Sequence, residues 1–221
     1  MAYELFWISG SHYAWRVMLA LEYKGIPYVS HHLNPSRGEH KSPTYLALNP
    51  RGKVPTLRDG ETVVTESLAI MAYLESASPR MPLFGRTPAE TGLIWQRISE
   101  FTSYTQGPIE QGIVFPYKEG GSVMDLERSR AAAAVALRQL AWMEQALSRT
   151  AFLAGDEVTA ADMVALPTMG MLAQLGRRPR AQEIGLGFEQ FSHSLPSIAA
   201  WMQRAEQIPG YDAAYPPSWR A

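Results

Sequence analysis

Two serines flank a glycine at Ser9-Gly10-Ser11, between an aromatic, β-branched run and an apolar stretch of helical composition. A serine at such a strand-to-helix turn is typical of a helix N-cap. The position also has a chemical use, because the unpaired amides and positive dipole end of a helix start favour a bound anion such as a thiolate. A hydroxyl that donates a hydrogen bond to the sulfur lowers the thiol pKa further. Since the chain has no cysteine, the thiol would have to come from a ligand.

A second feature is a proline at the start of a short β run, Val54-Pro55, preceded by Arg51-Gly52-Lys53. Proline lacks the donor of a sheet ladder, so this pattern is typical of an edge strand or of the first residue of a strand. A cis Val54-Pro55 bond would instead turn the amide and carbonyl of Val54 outward, where a short extended peptide can pair with them. Both interpretations are compatible with the sequence.

The third feature is Thr65-Glu66-Ser67 at the start of a further predicted helix. Acidic and hydroxyl residues at this position are a common capping pattern. They also suit a ligand, because helix amides and the Ser67 hydroxyl can hold a carboxylate while Glu66 meets an ammonium group. The pair would then bind the α-amino acid end of a small molecule.

The elements that carry these residues follow the order βαβ, short α, ββ, α. A Pro- and Gly-rich span then precedes a part of the chain that is predicted to be helical throughout. We therefore predict an α+β front domain, a linker and an all-α rear domain, at residues 1–78, 79–88 and 89–221. The predicted helices of the rear domain cover residues 89–105, 126–150, 160–175 and 197–207.

Composition and sequence pattern limit the classes of binding partner that we expect. The 221 residues carry a formal charge of -1, which provides no broad field for nucleic acid or an anionic membrane. We expect no metal site, because neighbours on a strand such as His31 and His32 point to opposite faces and no cysteine accompanies them. The first residues lack the basic region of a signal peptide and no apolar run is long enough to span a bilayer, so a cytoplasmic location is expected.

Taken together, these motifs resemble the glutathione S-transferase family, in its cytosolic form with a serine-type active site, bacterial or zeta/tau-like. The resemblance rests on four segments: Ser11-x-x-x-x-Arg16-Val17, Val54-Pro55, Glu66-Ser67-Leu68-Ala69-Ile70, and Gly155-Asp156 followed by Thr159-Ala160-Ala161-Asp162. The last of these is a structural capping box. The resemblance covers nearly the whole chain. It implies a thioredoxin-like front domain, a helical-bundle rear domain, a homodimer, and glutathione as co-substrate without a metal.

Residue roles also follow from the resemblance. Ser11 would be the catalytic donor that keeps glutathione as a thiolate, Val54 with Pro55 would pair with the cysteinyl backbone, and Glu66 and Ser67 would hold the γ-glutamyl end. The candidates for the glycyl carboxylate are His40, Lys41 and Lys53. The candidates for the co-substrate pocket are Tyr13, Tyr104, Phe115 and Tyr117. The last three could equally belong to the core of the helical bundle.

The implied function is a glutathione transferase that activates the thiol for attack on a small hydrophobic electrophile. Two alternatives stay open from sequence. One is a non-catalytic, transferase-like module for protein interaction. The other is a glutathione-dependent isomerase similar to maleylacetoacetate isomerase, although His12 and Tyr13 replace the Ser-Cys part of that motif.

Overall fold

The computed structural model describes residues 2–115, 126–177 and 191–220. The chain divides into two units. The first contains Met1–Phe84 together with Glu206–Ala221, and the second contains Gly85–Ala205. The chain changes unit between Phe84 and Gly85 and again between Ala205 and Glu206, and the predicted domain boundaries at residues 78 and 88 stay a prediction.

A four-stranded sheet in the order β2-β1-β3-β4 forms the centre of the first unit. The strands are β1 (Tyr3–Trp7), β2 (Tyr28–His32), β3 (Thr56–Asp59) and β4 (Thr62–Thr65). β1 pairs in parallel with β2 and antiparallel with β3, and Phe6 lies opposite Thr56, which in turn lies opposite Thr65. The ends of β1, β2 and β4 and the start of β3 consequently meet at one edge of the sheet.

Helices cover this sheet in the predicted order, so the thioredoxin-like βαβ-ββα arrangement is confirmed. They are α1 (His12–Tyr23), α2 (Pro43–Leu48) and α3 (Ser67–Ala77), with 3₁₀ turns at Pro35–Arg37 and Glu39–Lys41. The core side chains of α1, from Ala14 to Leu21, are all buried. Burial on every side explains why α1 lacks a clear polar stripe.

The span after α3 belongs to the first unit because of one buried lysine. The Lys24 ammonium group, on a fully buried side chain, lies 2.8 Å from the Glu75 carboxylate. It also donates hydrogen bonds to the backbone carbonyls of Ser78, Arg80 and Met81. A buried charge requires such partners. They anchor residues 78–84, where the sequence predicted the beginning of a linker.

The last residues of the chain also pack within the first unit, whereas the sequence analysis assigned them to the rear domain. They form α9 (Tyr211–Ala214) and a 3₁₀ turn at Pro217–Trp219. The reason is an aromatic cluster around Trp15 of α1, whose ring contacts Tyr211, Tyr215 and Trp219 edge to face. These contacts join residues that are about 200 positions apart in the sequence.

The second unit is helical in the part that the structure describes, as predicted. Its helices are α4 (Pro88–Glu100), α5 (Leu126–Leu147), α6 (Ala160–Gly176), α7 (Phe191–Ser194) and α8 (Pro196–Ala205). After α4 the chain continues as π-helical turns at Phe101–Gln106 and Glu110–Val114, beyond the predicted end near residue 105. Pro108 explains the wider turns, because its ring would clash with the carbonyl of Tyr104 in a regular α-helix.

The predicted capping box at the start of α6 is present. Asp162 is fully buried and accepts from the amides of Thr159 (3.0 Å) and Leu153 (2.9 Å) and from the indole of Trp201 (3.0 Å). Burial raises the pKa of Asp162, and these hydrogen bonds oppose that effect. α6 is almost wholly buried, yet among the described residues no helix is long and apolar enough to cross a membrane.

Candidate functional site

Ser11 is the N-cap of α1. Its backbone is extended and its hydroxyl oxygen accepts from the Ala14 amide at 3.3 Å, while its own amide donates to the Ile8 carbonyl at 3.1 Å. A hydroxyl has two acceptor sites and one proton, so an oxygen that accepts this bond still has its proton to donate. The half-buried Ser11 therefore combines a donor with the positive end of a twelve-residue helix.

The Val54-Pro55 peptide bond is cis. The buried side chains of Tyr45 and Asn49 bind the residues on either side of it, Lys53 and Thr56. The Tyr45 hydroxyl donates to the Lys53 carbonyl at 2.5 Å, and the Asn49 side-chain amide donates to the same oxygen at 2.9 Å. Both side chains also hydrogen-bond the Thr56 hydroxyl. Burial raises the pKa of Tyr45, so its hydroxyl stays protonated and available as a donor. The Val54 backbone is thus fixed from both sides.

Tyr45 and Asn49 were not among the residues that sequence reasoning selected. A signal was available, because they lie four residues apart at the end of a predicted short helix, directly before the Val54-Pro55 region. Two polar side chains on one helix face, close in sequence to a proline-containing loop, indicate hydrogen-bonding support for the backbone of that loop.

The turn at Glu39–Lys41 packs beside the residues that precede Val54. The Lys41 ammonium donates to the Arg51 carbonyl at 3.3 Å. Gly52 has φ 56°, and a Cβ there would lie 2.8 Å from the His40 carbonyl oxygen, so the close approach needs glycine. The buried His40 Nδ1 has no hydrogen-bond partner among the described residues. The predicted cationic residues His40, Lys41 and Lys53 therefore occupy neighbouring segments.

Glu66 and Ser67 lie at the start of α3. Glu66 has φ 69° and ψ 120°, although it is not glycine. A side chain in that region costs about 1–2 kcal/mol, and strain of this kind concentrates at binding sites. Ser67 is 6% exposed and is the first residue of the helix. The strained backbone places the Glu66 side chain immediately before the free amides of α3.

The sheet brings the three predicted motifs together. Ser11 follows the end of β1, Val54-Pro55 precedes β3, and Glu66 follows the end of β4. These three strand ends meet at one edge because Phe6, Thr56 and Thr65 lie side by side in the register. Ser11, Val54-Pro55 and Glu66 consequently lie at the same edge of the sheet, in that order.

The predicted co-substrate residues are divided between the units. Tyr13 lies in the first turn of α1, where the Arg16 guanidinium stands 4.9 Å from the centre of its ring. Tyr104 lies in the π-helical stretch of the second unit and is 62% exposed, and Phe115 follows the second π-helical stretch and is half-buried. Tyr117 lies outside the described residues. A cavity of about 210 Å³ between α4, α5 and the loop after α5 involves none of these residues.

The adjacent histidines of β2 take separate structural roles. The His31 imidazole stacks on Phe6 and lies 2.9 Å from the Glu4 carboxylate. The His32 ring stacks on Trp7 and accepts from the Ser9 amide at 3.3 Å. Within residues 2–115, 126–177 and 191–220, no cluster of three or more His, Asp or Glu side chains could hold a metal ion.

Comparison with known proteins identifies two family models in this chain. The N-terminal domain model of glutathione S-transferases matches residues 10–77, and the C-terminal domain model matches residues 126–204. The first range contains the Ser11, Val54-Pro55 and Glu66-Ser67 motifs. The second contains the capping box of α6.

Individual glutathione S-transferases are similar to this chain over nearly its full length. Glutathione S-transferase A of Pleuronectes platessa is 32% identical, covering 97% of this chain and 92% of that protein. The crystal structure of a glutathione S-transferase from Laternula elliptica superposes with a TM-score of 0.84 at 29% identity, covering 100% of this chain and 94% of that one. A transferase from Phanerochaete chrysosporium, solved with oxidized glutathione, has a TM-score of 0.80 at 25% identity, covering 96% and 94%.

Proposed function

The chain belongs to the glutathione S-transferase family, and from that premise we propose that Ser11 activates the glutathione thiol for attack on a small hydrophobic electrophile. One observation carries the proposal. The Ser11 hydroxyl caps α1 at the sheet edge where the cis Val54-Pro55 segment and the strained Glu66 also lie. That edge offers a separate contact for the sulfur, the peptide backbone and the α-amino acid end of the tripeptide.

The chemistry follows from these groups. The Ser11 hydroxyl and the amides at the start of α1 stabilise the thiolate, so the thiol loses its proton to solvent near neutral pH. The sulfur lone pair then forms a bond to the electrophilic carbon, and the leaving group departs with its electron pair. Holding the two reactants in line and stabilising the charged sulfur supply the rate gain.

The remaining predicted residues bind and orient the tripeptide. We assign the Val54 backbone to the cysteinyl residue and Glu66 with Ser67 to the γ-glutamyl end. We assign His40, Lys41 and Lys53 to the glycyl carboxylate. The buried Nδ1 of His40, which has no hydrogen-bond partner within residues 2–115, 126–177 and 191–220, supports this role. The assignment of the electrophile to Tyr13, Tyr104, Phe115 and Tyr117 stays a prediction from the sequence.

Calorimetric titration with glutathione, followed by an assay with an aryl halide acceptor, tests the proposal. We expect saturable binding below millimolar concentration and a conjugated product that forms as glutathione is consumed. Absence of binding at millimolar glutathione would instead support the protein-interaction module. Turnover of a maleyl-type substrate without consumption of glutathione would support the isomerase.

Two substitutions of Glu66 should change the affinity for glutathione equally but the stability of the fold differently. Glu66→Ala removes the carboxylate that meets the ammonium group, so the Kd for glutathione should rise about tenfold, as expected for a lost charge-assisted hydrogen bond. Glu66→Gly should weaken binding equally, yet it relieves the positive φ of 69°. Its free energy of unfolding should therefore exceed that of the alanine variant by about 1 kcal/mol. Calorimetry and urea unfolding measure the two effects, and equal stability of both variants would contradict the strain.

We also propose a homodimer. Apolar side chains are exposed on both units of the isolated chain, including Val63 of β4 (38%) and Leu93 and Trp95 of α4 (36% and 39%). Contact with a second copy of the chain would remove such apolar area from water. Sedimentation equilibrium should give twice the mass of the chain, and a monomer at micromolar concentration would contradict the proposal. A cytoplasmic location stays a prediction.

A further inference from the structure

We propose that the C-terminal 3₁₀ turn, through Ser218 and Trp219, positions the Ser9-Gly10-Ser11 turn and so sets the strength of the Ser11 donor. The inference rests on the proposed function, because it concerns the residue assigned to the glutathione sulfur. It adds two positioning residues from the far end of the chain, neither of which carries a motif of its own.

A reciprocal pair of hydrogen bonds connects the two turns. The Ser9 hydroxyl donates to the Ser218 hydroxyl oxygen at 2.8 Å, and the Ser218 amide donates back to the Ser9 hydroxyl oxygen at 3.2 Å. On its other side the Ser9 amide donates to the His32 ring nitrogen at 3.3 Å. Ser9 is consequently held both by the sheet and by the C-terminal turn, two residues before Ser11.

Gly10 makes the approach possible. It has φ 79°, and a Cβ at this position would lie 3.3 Å from the indole nitrogen of Trp219 and 3.5 Å from the Ser218 hydroxyl oxygen. A side chain here would be strained by the backbone conformation and crowded by the tail. The glycine of the turn therefore serves the contact with Trp219 as well as the change of direction.

An aromatic cluster holds the C-terminal turn in place. Trp219 meets Trp15 at 5.4 Å between ring centres and Tyr215 at 6.0 Å, both edge to face. Edge-to-face pairs of this kind stabilise the fold beyond the burial of their apolar area. Because Trp15 lies on α1, the helix that Ser11 caps, the tail is fastened both to the helix and to the turn before it.

The consequence concerns the ionisation of the bound thiol. A hydrogen bond to a thiolate depends on distance and angle, so a turn that is free to shift is a weaker donor on average. Removal of the Ser9 to Ser218 link should thus raise the pKa of bound glutathione and leave the tripeptide's other contacts intact. If the link had a purely structural role, its removal would lower the stability of the protein and leave the pKa of bound glutathione unchanged.

The test compares Ser218→Ala with wild type and with Ser218→Thr, which keeps the hydroxyl. The thiolate absorbance of bound glutathione, recorded against pH, should show a pKa about 0.5 unit higher for Ser218→Ala, which corresponds to about threefold less thiolate below the pKa. The kcat with an aryl halide should fall about threefold at low pH and converge with wild type at high pH. The Kd for glutathione, measured below the pKa of the bound thiol, should stay within about twofold. Ser218→Thr should restore the wild-type profile.

Two further variants separate the explanations. Ser9→Ala removes both hydrogen bonds of the reciprocal pair, so the double variant Ser9→Ala/Ser218→Ala should shift the pKa no more than Ser9→Ala alone. Ser148→Ala, which removes an exposed hydroxyl that donates to the Gln145 carbonyl in the second unit, should leave the profile unchanged. The titratable groups around the two turns stay in place in these variants: His12, Tyr13, Arg16, His32, Tyr215 and Arg220.

The outcomes distinguish the two proposals. A wild-type protein that fails to bind glutathione overturns the proposed function. A wild-type protein that binds glutathione with a lowered thiol pKa, together with a Ser218→Ala variant of identical pH profile, overturns this inference alone. A lower melting temperature with an unchanged pH profile overturns it as well, since it shows a structural role.

Discussion

Ser11→Ala is expected to lower kcat with an aryl halide acceptor by about 100-fold or more, the usual effect of removing one preorganised donor from a developing or bound anion. The variant loses the hydroxyl proton that stabilises the thiolate, while the amides of α1 remain. The pKa of bound glutathione should therefore rise, and activity should recover partly at high pH, where the thiol ionises without help. Below the pKa of the bound thiol the Kd for glutathione should change little, because the peptide contacts are separate from the sulfur contact. Above that pKa the Kd should rise, because the lost thiolate stabilisation then also weakens binding.

The same substitution removes an N-cap, which costs about 1 kcal/mol of stability. Thr87→Ala is the matched control, since the Thr87 side chain caps α4 by accepting from the Glu90 amide at 3.2 Å in the second unit. Both variants should lose similar stability in urea unfolding, and only Ser11→Ala should lose turnover. Wild-type kcat in Ser11→Ala would remove Ser11 from the mechanism.

Asp162→Ala should lower the free energy of unfolding by about 4 kcal/mol, the largest stability effect we expect from a single substitution here. The carboxylate is 0% exposed and accepts from Leu153, Trp201 and both the amide and hydroxyl of Thr159. Each buried donor left without a partner costs about 1–3 kcal/mol. The substitution removes hydrogen bonds at three places at once, because those donors lie in the loop before α6, at its N-cap and on α8.

Urea unfolding followed by tryptophan fluorescence measures this effect. Glu157→Ala is the control, because Glu157 is 76% exposed and pairs only with Arg86 at the surface among the contacts described for it. A change of less than about 1 kcal/mol is expected there. Asp162→Asn keeps one acceptor oxygen and should lie between the two. An Asp162→Ala variant as stable as the Glu157 control would show that the buried cluster does not stabilise the fold.

Local patterns accounted for much of this protein. The βαβ, α, ββ, α order, the N-cap at Ser11 and the capping box at Thr159 and Asp162 each depend on residues within one turn or one strand. Period, caps and turn residues are properties of a few consecutive positions, so the sequence alone determines them. The motifs that predict the site residues are also short, although they lie on different elements.

Tertiary structure decided what connects distant positions. The sheet register placed the ends of β1 and β4 beside the start of β3, and the buried Lys24 drew residues 78–84 into the first unit. The aromatic cluster around Trp15 brought the C-terminal turn to Ser9, 209 positions away. Such contacts depend on which buried surfaces and hydrogen-bond partners remain once the elements are packed, and no local periodicity records them.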